Sequence, residues 1–270
     1  MKTSPAGALA TISVVLVVHN QNALTQACVE TLRRTRRAFQ LCVVDNASDD
    51  ETESVFANWS DATPLRYHRN AENVGLIRAL NQGARLAGGD RLCFLHNDTE
   101  MLDSAWLDKL DMALTSGNRV GLAGLYGARR LRRNGRYAGR SIVHCLAEGP
   151  TLLRPVVEVA AVDGVCLFIS RALLHEVGGF DEDYGFFHGY DRDLSLAVRA
   201  AGYRCAVVNA LFVHRGGGTR MAAGAPATAA KDLAQRREAL GRLVQKWGHA
   251  LPTDVRTLRE RLADRLRRRR

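Results

Sequence analysis

The sequence predicts an α/β fold in which helices flank a single, Rossmann-like and mostly parallel sheet. Two observations favour this class. Strand and helix patterns alternate four times in the first 118 residues, which is typical of right-handed βαβ units around a parallel sheet. The first strand, residues 12–18, is an apolar run rich in β-branched side chains, as expected for a strand buried on both faces.

The other elements of the first half are predicted from the spacing of apolar residues and from the positions of glycines. Val74, Ile77, Leu80 and Ala84 recur at helical spacing, and two glycines at 88–89 precede a short apolar strand. The predicted elements are a helix at 22–37, a strand at 41–44 that ends in the polar run 45–50, a helix at 51–59, a strand at 65–68, a helix at 74–86, a strand at 92–95 and a helix at 105–114.

After about residue 119 the strands continue but the helices become less regular. Glycines at 178–179 and at 202 end two of the helices. The predicted elements are strands at 120–125, 141–146 and in pieces within 156–169, helices at 171–177 and 191–201, strands at 203–208 and 211–214, a mobile Gly- and Ala-rich loop at 216–230, and amphipathic helices at 231–247 and 253–268.

Composition indicates a globular protein with a full core. Of the 270 residues, 46% are hydrophobic and 24% charged, which is ordinary for such a domain. The apolar run 12–18 is far shorter than the ~20 residues that cross a bilayer, and no secretory signal pattern is seen. The six cysteines include no C-x-x-C pair, so we expect buried, reduced thiols and a cytoplasmic location.

The formal net charge of +10 is unevenly distributed. Residues 256–270 hold eight arginines against Glu260 and Asp264, a net of +6. Such a tail is either a solvated arm or a surface for anionic headgroups or nucleic acid. No aromatic residue interleaves with these arginines, so nucleic acid is not supported, and peripheral contact with the inner face of an anionic membrane is the expectation. A second basic cluster consists of Arg129, Arg130, Arg132, Arg133, Arg136 and Arg140.

The strand at 92–95 runs directly into His96, Asn97 and Asp98. Acidic and amide oxygens at the carboxyl end of a buried strand are suitable ligands for a divalent cation. Asp98 is equally suited to cap the next helix. From this stretch alone, the metal site and the helix cap both remain open.

Polar clusters follow the other predicted strands as well. They are His19 with Asn20, the run 45–48, and Asn73 with Gly75 ahead of the third helix. Because the carboxyl ends of parallel strands meet at one edge of a sheet, these clusters can line one pocket. Each cluster alone is typical of a turn or a cap, but the series favours a nucleotide pocket.

An ordered series of motifs gives the sequence a specific resemblance. In chain order these are Val-Asp-Asn-x-Ser-x-Asp at 44–50, Asn-x-Gly at 73–75 and again at 81–83, His-Asn-Asp at 96–98, Gly-Gly-Phe-Asp-Glu at 178–182, Tyr-Asp-x-Asp-Leu at 190–194, Ala-Gly-Tyr-Arg at 201–204, and a histidine before glycines at 214–217. Over residues 11–249 the chain resembles the inverting glycosyltransferases of the family 2 type, which have the GT-A fold.

The resemblance implies where a nucleoside-diphosphate sugar binds. Asp45 would contact the nucleobase or ribose, and Asp98 and His214 would hold Mg²⁺ or Mn²⁺ against the diphosphate. His96 stands where the family usually has its first acidic residue. The other residues that would line the donor pocket are His19, Asn20, Asn46, Ser48, Asn73, Arg78 and Asn97.

The resemblance also implies the acceptor side. Asp191 would be the general base, with a helix N-cap as the alternative role. Tyr190 replaces the usual glutamate, and Asp163 and Gly164 would border the acceptor with it. The domains expected are a disordered leader (1–10), a GT-A domain (11–249) with a nucleotide-sugar-binding half (11–118) and an acceptor-binding half (119–249), and a basic helical tail (250–270).

Three other functions compete with this one. A dinucleotide-dependent oxidoreductase would need G-x-G-x-x-G after the first strand, and a sugar nucleotidyltransferase would need a Gly-rich phosphate loop there; neither is present. A non-catalytic sugar-nucleotide-binding or scaffold protein remains open. The expectation is a metal-dependent inverting glycosyltransferase that moves a hexosyl or deoxyhexosyl unit from a UDP- or dTDP-sugar to a glycan or lipid-linked acceptor in cell-surface polysaccharide synthesis.

Overall fold

A computed structural model describes residues 10–149, 152, 154–216 and 226–267. The strands are β1 (Ile12–Val18), β2 (Gln40–Asp45), β3 (Leu65–Arg69), β4 (Arg91–His96), β5 (Thr99–Met101), β6 (Val120–Gly124), β7 (Tyr126–Ala128), β8 (Ile142–His144), β9 (Val156–Val159), β10 (Ala161–Val162), β11 (Cys166–Ser170), β12 (Arg204–Val208) and β13 (Phe212–His214). The helices are α1 (Asn22–Leu32), α2 (Thr52–Ala57), α3 (Leu76–Leu86), α4 (Trp106–Thr115), α5 (Arg171–Glu176), α6 (Tyr190–Ala200), α7 (Pro226–Trp247) and α8 (Leu258–Arg267).

The predicted mostly parallel sheet is confirmed. Eight strands lie in the order β3-β2-β1-β4-β11-β6-β12-β9, with helices on both faces. The first four strands run parallel, whereas β11 is antiparallel to β4 and β9 is antiparallel to β12. Val18 pairs with Asp45, and Val17 pairs with His96. The carboxyl ends of β1, β2 and β4 therefore meet at one edge, as the alternating pattern predicts.

Strand β1 lies in the middle of two hydrophobic cores. Val14 and Leu16 face one core and Val15 faces the other, and all three have no exposed surface. Full burial of such a side chain contributes roughly 1.5–3 kcal/mol. This double burial explains why the strand contains almost no polar residue.

A short ribbon that the sequence pattern did not predict crosses this edge. Residues 99–101 form β5, which pairs antiparallel with β13, so that His214 lies opposite Thr99. The backbone N–H of Arg215 donates to the Asp98 carbonyl at 3.0 Å. The ribbon thereby sets His214 beside Asp98. A further small sheet has the order β10-β7-β8.

The C-terminal part differs in its boundaries from the sequence prediction. Helix α7 begins at Pro226, inside the segment predicted as a loop. Beyond residue 249, Leu251 is buried in the core, and the backbones of Thr253 and Val255 pair with residues 129–131. Residues 251–255 are therefore packed on the domain, and the last helix starts at Leu258 rather than at 253. Residues 1–9 of the predicted leader (1–10) and residues 217–225 of the predicted loop (216–230) lie outside the described residues.

Across the described ranges, no helix is both long enough and apolar enough to cross a lipid bilayer.

Candidate functional site

Three side chains that can bind a metal converge where β4 meets the β5–β13 ribbon. His214 Nε2 lies 3.1 Å from Asp98 Oδ1, and His96 Nδ1 lies 4.0 Å from the same oxygen. Donor atoms that each lie about 2.1 Å from one ion are at most about 4.2 Å apart. Both distances to the Asp98 oxygen are therefore compatible with a shared cation.

The chemistry of this cluster also fits a divalent ion. The contact between His214 and Asp98 lacks hydrogen-bond geometry, and His214 Nε2 is a buried nitrogen with no hydrogen-bond partner within the part of the chain that the structure describes. A carboxylate with imidazole nitrogens is a donor set that Mn²⁺ accepts readily. The helix-cap role considered for Asp98 does not apply, because Asp98 precedes β5 rather than a helix.

The loops after β1 and β2 are joined by hydrogen bonds. The backbone N–H of Asn20 donates to Ser48 Oγ at 2.9 Å, and Asn20 Oδ1 accepts from the N–H of Asp49 at 2.8 Å. Asn20 adopts a left-handed φ of 55°, which asparagine tolerates better than most residues. His19 lies half-buried beside it. The two loops thus form one rigid rim.

Asp45 forms the floor of this rim. It has no exposed surface, and its carboxylate accepts hydrogen bonds from the Ser48 N–H (2.8 Å), the Tyr67 hydroxyl (2.6 Å) and Arg69 (2.8 Å). Burial alone would raise the pKa of Asp45, but the hydrogen bonds outweigh burial and lower the pKa. In this structure the carboxylate is engaged by protein donors. Its predicted contact with the nucleobase or ribose stays a prediction.

An amide network fixes the start of α3. Asn46 Nδ2 donates to Asn73 Oδ1 at 2.7 Å, and Asn46 Oδ1 accepts from the Val74 N–H at 3.0 Å. Asn73 Oδ1 also accepts from the N–H of Gly75, whose φ of 88° suits glycine. Arg78, by contrast, is largely exposed and lies 3.4 Å from Glu182. The structure thus joins Asn46 and Asn73 and gives Arg78 an acidic partner outside the network.

The candidate base lies on the first turn of α6. Asp191 is 7% exposed, and its Oδ2 accepts a hydrogen bond from the Tyr137 hydroxyl at 3.0 Å. Arg192 Nε lies 3.4 Å from Asp191 Oδ1 and stacks over the Tyr137 ring. These contacts hold the carboxylate in one orientation.

Asp163 is a second acidic group near the base. Burial, and then the charge of Asp191, raise the pKa of Asp163 to about 6. The adjacent Gly164 lies against Tyr190, because an added Cβ would come within 2.1 Å of the tyrosine hydroxyl. The predicted acceptor residues Asp163, Gly164 and Tyr190 are thus neighbours.

One cavity lies beside the metal cluster and the predicted acceptor residues. It has a volume of 360 Å³, within the range of small-molecule sites. Asn97, Asp98, Asp163, Gly164 and His214 are the predicted site residues in its wall, and the other lining residues are Val17, Leu76, Leu80, Phe94, Leu95, His96, Tyr126, Tyr137, Val165 and Phe187. Tyr190 and Asp191 touch this wall through His96 and Tyr137.

Two residues of the candidate site were not predicted from the sequence. Tyr137 lies inside the second arginine cluster, where no pattern marks it, and it reaches Asp191 only in the folded chain. Thr25 accepts a hydrogen bond from Asn97 Nδ2 at 2.9 Å, and a threonine within a helix gives no functional signal. His96 was noted only as a departure from a family motif, yet it belongs to the candidate metal cluster.

Comparison with solved structures places this fold. The crystal structure of GalNAc-T7 with UDP, GalNAc and Mn²⁺ matches with a TM-score of 0.63 and 18% identity, over 76% of this chain and 43% of that chain. At this identity the match shows the fold alone, which is the GT-A fold of glycosyltransferases.

Curated relatives also match at low sequence identity. The chain is 26% identical over 230 residues to the O-antigen biosynthesis protein RfbC of Myxococcus xanthus, covering 77% of this chain and 18% of that protein. It is 25% identical over 222 residues to the inactive polypeptide N-acetylgalactosaminyltransferase-like protein 5 of Macaca fascicularis, covering 74% of this chain and 50% of that protein. The chain thus spans half or less of the length of these relatives.

A family model also matches the chain. The model described as glycosyl transferase family 2 matches residues 13–169, from β1 through most of β11. This segment includes the rim formed by the loops after β1 and β2 and the His96–Asp98 turn, and it is more than half of the chain. The chain therefore belongs to glycosyl transferase family 2.

Proposed function

We propose that this protein is a metal-dependent inverting glycosyltransferase that uses a nucleoside-diphosphate sugar. One observation carries the proposal. The Asp98–His214 pair and Tyr137 line the same cavity, and the Tyr137 hydroxyl donates a hydrogen bond to Asp191 behind that wall. A group that stabilises a leaving diphosphate and a group that accepts a proton are the two requirements of such a transfer.

On the donor side, Asp98 and His214 would hold Mn²⁺ or Mg²⁺. The ion supplies charge stabilisation for the departing diphosphate oxygen without a proton transfer. The nucleoside would bind at the rim and the amide network that contain Asn20, Asn46, Ser48 and Asn73. Because these loops are already held in place, binding would cost less conformational entropy.

On the acceptor side, Asp191 would be the general base. An acceptor hydroxyl attacks the anomeric carbon from the face opposite the diphosphate, and its proton passes to the Asp191 carboxylate. The bond from the anomeric carbon to the diphosphate breaks, and its electron pair leaves with the diphosphate. Attack from the opposite face inverts the anomeric configuration. Asp163 and Gly164 would border the acceptor.

For the substrates, we favour a UDP- or dTDP-sugar as donor and a glycan or lipid-linked hydroxyl as acceptor, in cell-surface polysaccharide synthesis. The support is comparative: one relative is named for O-antigen biosynthesis, and one structure of the same fold contains UDP.

A thermal-shift screen tests the donor. UDP, dTDP and GDP and their sugars would be added with Mn²⁺, with Mg²⁺ or with EDTA. We expect a rise in melting temperature for at least one nucleotide that depends on the metal, because binding to the folded state stabilises it. The absence of a shift for every nucleotide would contradict the proposal.

A non-catalytic binding protein is the second candidate. It is favoured by one observation: a relative of similar identity is named as inactive. Transfer distinguishes the two candidates. A nucleotide that binds with metal but is never released from its sugar, across a panel of acceptors, would favour the binding protein. Inverted product configuration, measured by proton NMR, would favour the enzyme.

The arginine tail suggests peripheral contact with the cytoplasmic face of an anionic membrane. Leu258 and Leu262 are 72% and 51% exposed and lie one turn apart on α8 among arginines, a pattern that suits an interfacial helix. Each basic residue near such a surface contributes about 1 kcal/mol. We expect truncation after residue 257 to abolish co-sedimentation with phosphatidylserine vesicles, while neutral vesicles bind neither form. Equal binding by both forms would reject this role.

A further inference from the structure

Two residues that depart from the family motifs are in contact with each other. His96 replaces the first acidic residue of one motif, and Tyr190 replaces the glutamate of another. His96 Nε2 lies 3.0 Å from the Tyr190 hydroxyl oxygen. The contact joins the end of β4 to the first residue of α6, across 94 positions of the chain.

Tyr190 is fixed from several sides. It is 5% exposed, and its ring packs edge-on against Phe180 with the ring centres 5.9 Å apart. Phe180 in turn packs edge-on against Phe94 on β4 at 4.9 Å. The tyrosine hydroxyl fills the space that a side chain at Gly164 would need. Packing therefore sets the hydroxyl in place independently of any bound ion.

The direction of this hydrogen bond sets the tautomer of His96. When Nε2–H donates to the Tyr190 oxygen, Nδ1 is the unprotonated nitrogen of the neutral ring. Nδ1 is the nitrogen that lies 4.0 Å from Asp98 Oδ1, on the side of His214. The ring is thus presented with its metal-binding nitrogen towards the cluster.

We propose that His96 is a third metal ligand through Nδ1 and that Tyr190 is the positioning residue that orients it through Nε2. The inference rests on the proposed metal-dependent function and deepens it. A hydrogen bond on the second nitrogen of a ligating histidine fixes the ring and the tautomer, and its loss typically weakens metal binding by about 10–100-fold.

The proposed ligand set has a consequence for metal choice. One carboxylate and two imidazoles favour Mn²⁺ and its heavier neighbours over Mg²⁺, which prefers oxygen ligands. The set also links the metal to the base, because Tyr190 and Asp191 are consecutive on the first turn of α6. The sequence departures at 96 and 190 thus act as one unit that makes the site selective for Mn²⁺.

The test is Mn²⁺ and Mg²⁺ binding to the metal-free chain of 270 residues, measured by calorimetry and by Mn²⁺ electron paramagnetic resonance without any sugar donor. We expect Tyr190→Phe, which keeps the packed ring, to weaken Mn²⁺ about 10-fold or more. Tyr137→Phe removes a hydroxyl from the same cavity that does not contact His96, and should leave Mn²⁺ affinity unchanged. Equal affinity for wild type and Tyr190→Phe would overturn the positioning role.

A second variant tests the ligand itself. His96→Gln should weaken Mn²⁺ binding and lower the preference for Mn²⁺ over Mg²⁺, whereas a purely structural role of His96 would leave the preference unchanged. The melting temperature of each metal-free variant shows that it is folded. Metal binding is measured without sugar transfer, so the two proposals can fail separately. If the variants change Mn²⁺ affinity as expected but no transfer is detected, the proposed function is rejected and this inference is not.

Discussion

At the residue scale, the acidic groups of the candidate site differ in how the protein holds them. Asp45 is surrounded by hydrogen-bond donors that lower its pKa, whereas Asp163 is desolvated beside Asp191, which raises its pKa to about 6. Opposite environments within one site separate the acidic groups by role. Asp45 holds a loop in place, and Asp163 is a carboxyl that titrates near the lower end of the physiological pH range.

Substitution of Asp163 should change how stability depends on pH. The folded pKa of Asp163 is above the ordinary value of 3.8, so its contribution to stability is present below about pH 4 and is lost as the pH rises through about 6. Asp163→Asn should therefore be more stable than wild type above pH 6, by roughly 1–3 kcal/mol, and the advantage should vanish near pH 4.

Denaturant unfolding in EDTA at pH 4 and pH 7.5 measures this difference. Asp49→Asn, at an exposed position, controls for the substitution and should change stability by less than about 0.5 kcal/mol. An Asp163→Asn protein that is less stable than wild type at pH 7.5 would show that the carboxylate is stabilising and would contradict the assignment.

At the element scale, α6 is the helix on which the site depends. Its first turn carries Tyr190 and Asp191, and its Asp193 is the anchor for α7. Asp193 is 3% exposed and accepts hydrogen bonds from Tyr184 (3.0 Å), Trp247 (2.7 Å) and Lys246 Nζ (3.1 Å). Helix α7 is thus attached to the same turn that presents the candidate base.

Removal of the Asp193 carboxylate should lower the stability of the fold. Asp193→Ala leaves the Tyr184 and Trp247 donors without this acceptor, while Lys246 keeps its ion pair with Asp181. We expect a loss of roughly 2–4 kcal/mol in the free energy of unfolding, less than for a fully buried ion pair because Lys246 is partly exposed. Asp183→Ala is the matched control, since that side chain is 75% exposed in its ion pair with Arg242. It should cost no more than about 1 kcal/mol. If urea unfolding gave similar losses of unfolding free energy for the two variants, Asp193 would not be the residue that attaches α7.

At the scale of the whole molecule, the sequence predicts those features that depend on neighbouring residues. Strand β1 has its predicted bounds, because burial on both faces leaves a continuous apolar signal. Helix α1 ends earlier than predicted, at Leu32, because the backbone N–H of Arg36 pairs with the distant Ser104 carbonyl. Strand β5 was missed because three residues form a strand only through pairing with β13.

The same distinction holds for the site. Asp98 and His214 were predicted from motifs, and the structure brings them together through the ribbon. The contacts of Tyr137 with Asp191 and of Tyr190 with His96 span 54 and 94 positions. No local pattern encodes such contacts, so they appear only once the sheet is folded.

The central claim is that one cavity binds a nucleoside diphosphate through a metal at Asp98 and uses Asp191 for transfer. Calorimetric titration of UDP, dTDP and GDP in Mn²⁺, compared among wild type, Asp98→Ala and Asp191→Asn, tests it most directly. We expect metal-dependent binding to wild type, binding to Asp191→Asn within about 3-fold of wild type although transfer falls by about 100-fold or more, and binding to Asp98→Ala weakened at least about 10-fold. Equal metal-assisted binding to wild type and Asp98→Ala, or wild-type turnover by Asp191→Asn, would contradict the account.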